Sequence, residues 1–268
     1  IGLVSRSGII PISSTLDTAG PITKFVIDNV IVLDAIFGFD GADEKSINTK
    51  WGESYYWNNF PTKNSLDGKR FAVFKGLKED TLYLKAIDKI KELGAEVVEI
   101  DEEEVNLPDF LRLLNLDMQK DLPAYFTDYG NKDLGMSSVQ DVIDFNNNDS
   151  VNIAPYGQKL FKGIVADSAT DEEFNSIKKI LHDNGKAYFD VHFEEHQLDG
   201  FLSINNYHAG FAAVAEYPAI TVPMGYEDND VPKGLTIIAK PFYEKSLLEY
   251  AFIFEQATKH RVAPKDYN

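Results

Sequence analysis

The stretch 70–100 constrains the fold most, because it carries the pattern of one parallel crossover. Residues 70–74 (Arg-Phe-Ala-Val-Phe) form the apolar run of a buried strand. Residues 81–93 place apolar side chains at near-helical spacing before Gly94, and residues 95–100 are again strand-like. A strand, a helix and a strand of this length predict two parallel strands joined by a right-handed crossover. The chain is therefore expected to be an α/β protein.

Elements of both kinds continue along the chain. The same patterns predict strands within 198–204, 219–223 and 235–239, and helices over 24–37, 107–127, 137–147, 156–166, 170–196 and 246–260. Strands scattered over the whole length favour one sheet over independent domains. We expect a single α/β domain over residues 1–268, with a mixed sheet and helices on both faces.

Local features refine three of these helices. The first is apolar on more than one face, which predicts burial on most sides, and Thr23 is its candidate N-cap. Ser137 or Ser138 is the expected cap of the third. Gly185 interrupts the fifth, which predicts a kink or a division into two helices.

Charge and composition exclude several classes of protein. Asp and Glu number 43 against 26 Lys and Arg, a net charge of −17. Such a surface repels phosphate backbones and anionic lipids, so neither nucleic acid nor a membrane is an expected partner. The absence of Cys excludes disulfides and thiolate chemistry. Ile1 opens directly on strand-like sequence without a secretory segment, so we expect a cytoplasmic chain that has lost an N-terminal part.

A glycine-punctuated, hydroxyl-rich stretch covers residues 3–21. Apolar residues flank the segment 5–8 (Ser-Arg-Ser-Gly), which predicts a strand, a tight turn with Gly8 at positive φ, and a second strand. The second half crowds polar side chains together without an apolar period: Ser13, Ser14, Thr15, Asp17 and Thr18. Such side chains either bond their own backbone or line a site.

Aromatic side chains are concentrated in the aperiodic stretch 39–66. They are Trp51, Tyr55, Tyr56, Trp57 and Phe60. Anchoring this long loop on the core is the commoner use of such a cluster, and forming the wall of a ligand site is the alternative.

Two motifs could hold a metal ion. Residues 192–196 (His-Phe-Glu-Glu-His) place His192 and His196 on one helix face, as a metal pair requires. A solvated, charged helix end is the other interpretation, because no motif supplies a third ligand. The acidic run 101–104 predicts a solvated turn, since it lacks the spacing of a calcium loop. Gly-x-Gly-x-x-Gly and the Walker pattern are absent, so no cofactor is expected. The Gly-x-Ser-x-Gly elbow of serine nucleophiles is absent as well.

Several segments together resemble the amidase signature family. In chain order they are 2–13, 17–21, 26–36, 121–125, 142–146, 211–225, 232–235 and 254–258. The first two, which begin Gly-Leu-Val-Ser-Arg-Ser-Gly and Asp-Thr-Ala-Gly-Pro, resemble the stretch that follows the family's nucleophile. Residues 121–125 and 142–146 are similar to the bacterial branch that contains peptide amidase. Because the matches cover nearly the whole chain in order, the resemblance implies the amidase-signature fold.

The resemblance also implies hydrolysis of a small amide by a serine–cis-serine–lysine triad. One serine attacks the carbonyl, the second relays a proton to a neutral lysine, and backbone N–H groups stabilise the oxyanion. In the family, the lysine, a Gly-Gly-Ser-Ser segment and the nucleophile precede the stretch where this chain begins. The resemblance therefore assigns no catalytic residue here. We expect the C-terminal part of an amidase, inactive alone, with an incomplete sheet and self-association through the truncated face.

What the resemblance leaves to this chain is the wall of the substrate pocket. The implied substrate-binding residues are the polar ones of the first loop: Ser13, Ser14, Thr15, Asp17 and Thr18. Asp17 would bond backbone N–H groups of the serine loop or cap the turn at Gly20. The family's proline after the strand 198–202 is replaced by Ile204, which leaves the pocket shape there open.

Three other functions remain alternatives. One is the amidotransferase A-type subunit that supplies ammonia for charged tRNA, which the charge of −17 weakens. A non-catalytic interaction module is the second, and a metallohydrolase using His192 and His196 is the third. A peptide amide, an aryl amide and a small aliphatic amide are all open as substrates.

Overall fold

The chain folds into two compact units. The computed structural model describes residues 1–48, 51, 54–58, 60 and 64–264. The first unit consists of Ile1–Ala19, Phe39–Ile47 and Leu107–His182, and the second of Gly20–Gly38, Asn48–Asn106 and Asp183–Asn268. Within the described residues, no helix is long and apolar enough to cross a membrane.

The second unit is built on a mixed sheet of five strands. They are β1 (Arg70–Phe74), β2 (Glu96–Ile100), β3 (Gly200–Ile204), β4 (Ala219–Tyr226) and β5 (Pro232–Ile238), in the order β2-β1-β3-β5-β4. β1 pairs in parallel with β2 and β3, whereas β5 pairs antiparallel with β3 and β4. The β1–β2 pair, joined through α2 (Thr81–Glu92), confirms the predicted parallel crossover.

Helices cover both faces of this sheet. Because side chains alternate across a strand, Phe71 and Phe74 of β1 point to opposite faces. Phe71 meets Tyr250 of α9 (Glu244–Thr258) edge-on, with ring centroids 5.2 Å apart. Phe74 stacks near Tyr188 of α7 (Asp171–His196), at 6.1 Å. The predicted mixed sheet with flanking helices is confirmed.

The first helix, α1 (Val26–Ile36), is less buried than its composition predicts. It lies against α9 along one stripe. Its other face leaves Ile31, Val32 and Ile36 exposed by 49%, 38% and 42%. The prediction of burial on most sides is wrong, because one neighbouring helix covers only one face.

The N-terminus of α1 is also capped differently from the prediction. The hydroxyl of Thr23 donates to the carbonyl of Phe25 and so does not cap the helix. The N–H of Val26 donates instead to Oε1 of Glu255, at 3.0 Å. The cap therefore comes from α9, a helix distant in sequence.

α7 is one continuous helix of 26 residues, so the predicted division into two helices at Gly185 is wrong. A Cβ on Gly185 would lie 2.5 Å from Cγ2 of Val214 and 2.8 Å from the nitrogen of Ala215. Glycine here lets the short helix α8 (Ala209–Val214) approach α7 closely.

The aromatic side chains of the stretch 39–66 anchor it as predicted, with one exception. Tyr56 is fully buried, and Trp51 stacks on Tyr55 with ring centroids 4.6 Å apart. Phe60 packs edge-on against a ring of α9 at 5.1 Å. Trp57 is 48% exposed and does not act as an anchor.

Helices make up most of the first unit. They are α3 (Phe110–Asp128), α4 (Val139–Asn148), α5 (Ser150–Ile153), α6 (Lys159–Ala166) and the first half of α7. Leu122, Val139 and Ile164 bring α3, α4 and α6 together in a small core. Ser138 caps α4 by accepting from the N–H of Asp141 at 3.2 Å, which confirms the predicted cap.

Candidate functional site

An ion pair between Arg6 and Asp43 holds the first loop of the first unit in place. Nε and Nη2 of Arg6 donate to the two carboxylate oxygens of Asp43 at 3.0 and 2.6 Å. Nη1 donates to the carbonyl of Ser14 at 2.7 Å. The hydrogen bonds from Arg6 lower the pKa of Asp43 to about 2. The sequence analysis missed this pair, although Arg6 is the one basic residue of the loop.

Asp43→Asn should therefore destabilise the first unit by about 2 kcal/mol near neutral pH, since it leaves a largely buried guanidinium without a counter-charge. The folded-state pKa of Asp43 lies below the ordinary 3.8, so its contribution is present above pH 3.8 and is lost as pH falls through about 2. Thermal unfolding at pH 6 and pH 2, followed by circular dichroism, measures both effects. Asp133→Asn, an exposed carboxylate of the same unit, is the control. An equal change in the midpoint temperature of unfolding in the two variants would contradict the anchoring role of Asp43.

The predicted turn at Ser7-Gly8 is present, but the two flanking strands are not. Gly8 has φ +77°, and the N–H of Ile9 donates to the carbonyl of Arg6 at 3.1 Å. Past the turn, the carboxylate of Asp17 accepts the N–H groups of Ile12 and Ser13, at 2.8 and 3.0 Å. These two donors are therefore satisfied inside the loop and not by a neighbouring strand.

Asp17 thus bonds the backbone of its own loop, one of the two uses predicted for these polar side chains, and it does not cap the turn at Gly20. Ser13 is fully buried, and its hydroxyl donates to Asp117 of α3. The N–H of Ser14 donates to Oδ2 of Asp121, also on α3, at 2.5 Å. The hydroxyl-rich loop is therefore fastened to α3 by two carboxylates one helical turn apart.

A cleft of about 570 Å³ lies between this loop and α3. Four of the five predicted binding residues line it, namely Ser14, Thr15, Asp17 and Thr18. Ser13 does not, because its side chain points into the core. The opposite wall is α3 with its C-cap, which contributes Asp121, Tyr125 and Tyr129. All lining residues belong to the first unit.

The electrostatics of the cleft are dominated by carboxylates. Burial raises the pKa of Asp121, and the negative charges of Asp117 and Asp17 raise it further. Two of the nearby cations already have partners. Arg6 is bound to Asp43, and Nζ of Lys178 lies 3.8 Å from Oδ1 of Asp117. Such a cleft can bind a polar ligand, with a preference for positive charge.

The histidine pair does not form a metal centre with the surrounding residues. His192 and His196 share one face of α7, with ring centroids 6.0 Å apart. Nε2 of His192 lies 3.2 Å from Oε1 of Glu103. Across the part of the chain that the structure describes, no three metal-ligating side chains converge. Neither the histidine motif nor the acidic run 101–104 therefore has the ligands that a metal site requires.

A second polar constellation, missed by the sequence analysis, lies in the core of the second unit. Oγ of Ser203 and Nδ1 of His208 are 2.6 Å apart. His208 stacks on Phe74 with ring centroids 4.0 Å apart, and burial lowers its pKa to about 4. Ser203 is only 1% exposed, so this serine–histidine pair has no access to a substrate. The contact joins β3 to the residue that precedes α8.

Comparison with known proteins assigns the family. The model of the family described as Amidase matches residues 1–153. The chain is 30% identical to a protein of Arabidopsis thaliana named as a probable amidase, over 99% of this chain and 53% of that protein. It is 25% identical to the A-type subunit of the glutamyl-tRNA(Gln) amidotransferase of Ruminiclostridium cellulolyticum, over 95% of this chain and 58% of that protein.

Comparison with solved structures points to the same family. An amidase family protein from Bacillus anthracis superposes with a TM-score of 0.89 at 29% identity, covering 98% of this chain and 53% of that one. Native peptide amidase from Stenotrophomonas maltophilia gives a TM-score of 0.88 at 29% identity, covering 100% and 58%. The chain spans about half the length of these relatives. By its sequence match and by its structure, this chain belongs to the amidase family.

Proposed function

We propose that this chain is part of an enzyme that hydrolyses a carbon–nitrogen amide bond, and that the cleft of the first unit is a substrate-binding surface. The observation that supports this proposal is the position of Ser14, Thr15, Asp17 and Thr18 along one cleft. These residues lie within the segment that matches the amidase model. Hydroxyl groups and a carboxylate can hydrogen-bond both the carbonyl and the NH₂ group of a primary amide.

Binding, rather than nucleophilic attack, is the role proposed for these side chains. The hydroxyl of Ser13 is buried against a carboxylate, so it cannot reach a substrate. The 268 residues contain no Gly-Gly pair and hence no Gly-Gly-Ser-Ser segment. The serine–cis-serine–lysine triad therefore has no counterpart among these residues.

The chain alone is expected to show no turnover of a simple anilide above the buffer rate. The same preparation should nevertheless bind a small primary amide, as seen by chemical-shift changes of Thr15 and Thr18 during a titration. Continuous release of the aniline, abolished by Ser14→Ala, would contradict the assignment of binding without catalysis. Absence of any binding would contradict the proposed role of the cleft.

A role within an amidotransferase is the second candidate, because proteins of that name are among the relatives. The charge of −17 disfavours direct contact with tRNA, so this role would require a partner that binds the nucleic acid. Self-association through the truncated face, a non-catalytic binding role and a cytoplasmic location stay predictions.

A further inference from the structure

The cleft of the first unit contains more acids than bases. Its charged lining residues are five acids (Asp17, Asp43, Glu44, Asp121 and Asp128) and three bases (Arg6, Lys45 and Lys178). Arg6 is held by Asp43, and Lys178 lies near Asp117 and over the ring of Phe174, 4.0 Å from its centroid. The side chains that reach into the cleft therefore leave a net negative charge.

Asp121 is the acid placed best to meet a ligand. It is partly buried, and the N–H of Ser14 occupies its Oδ2. Asp117 stands one turn away on the same helix, and Asp17 faces it from the loop. Two like charges therefore act on this carboxylate, and Arg6, a cation within electrostatic range of it, is held by Asp43. A cationic ligand would offset the repulsion among these acids.

Two aromatic rings continue the same wall of the cleft. Tyr125 and Tyr129 follow Asp121 at one-turn intervals to the C-cap of α3, with ring centroids 5.5 Å apart. Gly8 of the loop lies beside Tyr129, whose side chain is 53% exposed. Aromatic faces attract organic ammonium groups, and more so beside a carboxylate.

A buried hydroxyl supplies a second, independent indication of a ligand. Oγ1 of Thr15 is inaccessible to solvent, and no hydrogen-bond partner for it exists among the described residues. Thr15 lines the cleft across from α3. Buried hydroxyls are normally paired, so this oxygen would gain a donor from a bound molecule once the Thr15 side chain rotates toward the cleft.

We propose that the cleft takes amides that also carry an ammonium group, and that Asp121 determines this specificity by binding the ammonium. The inference rests on the proposed function, because it names the class of amide that the same cleft receives. The tyrosine rings would cover the carbon chain and the charge, and Thr15 would accept a hydrogen bond from an N–H of the ligand.

Titration calorimetry of the full chain with two probes tests this inference. β-Alaninamide is a primary amide with an ammonium group, and N-acetyl-β-alaninamide is its neutral counterpart. We expect acetylation to weaken binding about tenfold, the usual order for loss of one charge-assisted contact at a partly open site. Asp121→Asn should weaken binding of β-alaninamide by a similar factor. The dissociation constants of the two probes should then lie within about twofold of each other.

The controls separate this inference from the proposed function. Asp133→Asn removes the same charge outside the cleft and should preserve the preference for the ammonium probe. Equal binding of both probes by the unaltered chain would overturn the inference while leaving the cleft as an amide site. A preference that survives Asp121→Asn would also overturn it. If neither probe binds, both the inference and the proposed role of the cleft fail.

Discussion

Replacing Gly185 with alanine should lower the free energy of unfolding of the second unit by about 3 kcal/mol. The new Cβ would stand 2.5 Å from Cγ2 of Val214, 2.8 Å from the nitrogen of Ala215 and 3.0 Å from the carbonyl oxygen of Phe211. Two of these atoms belong to the backbone, so helix α8 would have to move as a whole. This cost exceeds the roughly 1 kcal/mol by which alanine is favoured over glycine inside a helix. Urea unfolding followed by tryptophan fluorescence measures the change, since both tryptophans lie in the second unit.

Gly163→Ala is the matched control for this experiment. Gly163 also lies inside a helix, α6, but a Cβ there would have no neighbour within 4 Å. This substitution should stabilise the first unit by up to about 1 kcal/mol, because only the helix propensity changes. Circular dichroism follows its unfolding, since both tryptophans lie in the second unit. If Gly185→Ala were stabilising as well, close approach of α8 could not be the reason for glycine at that position.

Gly185 also illustrates which parts of the fold could be predicted from the sequence. Elements whose pattern is local were predicted closely: β1 spans the predicted residues 70–74, and α2 ends within one residue of its prediction. A glycine inside a helix has two physical explanations, local weakness and close packing. Only the position of α8, whose six residues are too few for a periodic pattern, decides between them.

The same limit applies to α1. Its composition correctly indicates a helix, but its burial depends on how much of it α9 covers. Its cap depends on Glu255, which is 229 residues away in the sequence. Neither the coverage of α1 by α9 nor its contact with Glu255 leaves a pattern in residues 24–37.

The candidate site was predicted in part. The absence of an apolar period correctly indicates a loop of polar side chains, and Ser14, Thr15, Asp17 and Thr18 line a cleft. That they bind substrate stays a prediction. The side chain of Ser13 is buried instead, because its hydroxyl donates to Asp117, a residue 104 positions away on α3. Adjacent serines of one loop thus have different surroundings, and nothing in their own sequence distinguishes them.

The second unit should lose about 3 kcal/mol of stability between pH 6.5 and pH 4 because of His208 alone. Burial lowers the pKa of His208 from the ordinary 6.5 to about 4 in the folded chain. The unfolded chain therefore takes up a proton at His208 at a pH where the folded chain still excludes it. The contribution is complete above pH 6.5 and falls as the pH drops to about 4, by roughly 1.4 kcal/mol per pH unit. Urea unfolding at a series of pH values measures the slope.

Two variants separate burial of the ring from its hydrogen bond. His208→Asn keeps an acceptor near Oγ of Ser203 but cannot be protonated, so the difference between its unfolding free energies at pH 7 and pH 4 should shrink by about 3 kcal/mol. Ser203→Ala removes the 2.6 Å contact and should cost about 1 kcal/mol at every pH while keeping the slope, since burial is what lowers the pKa. A His208→Asn variant as acid-sensitive as the unaltered chain would assign the loss to another buried group, such as His192, whose pKa burial also lowers.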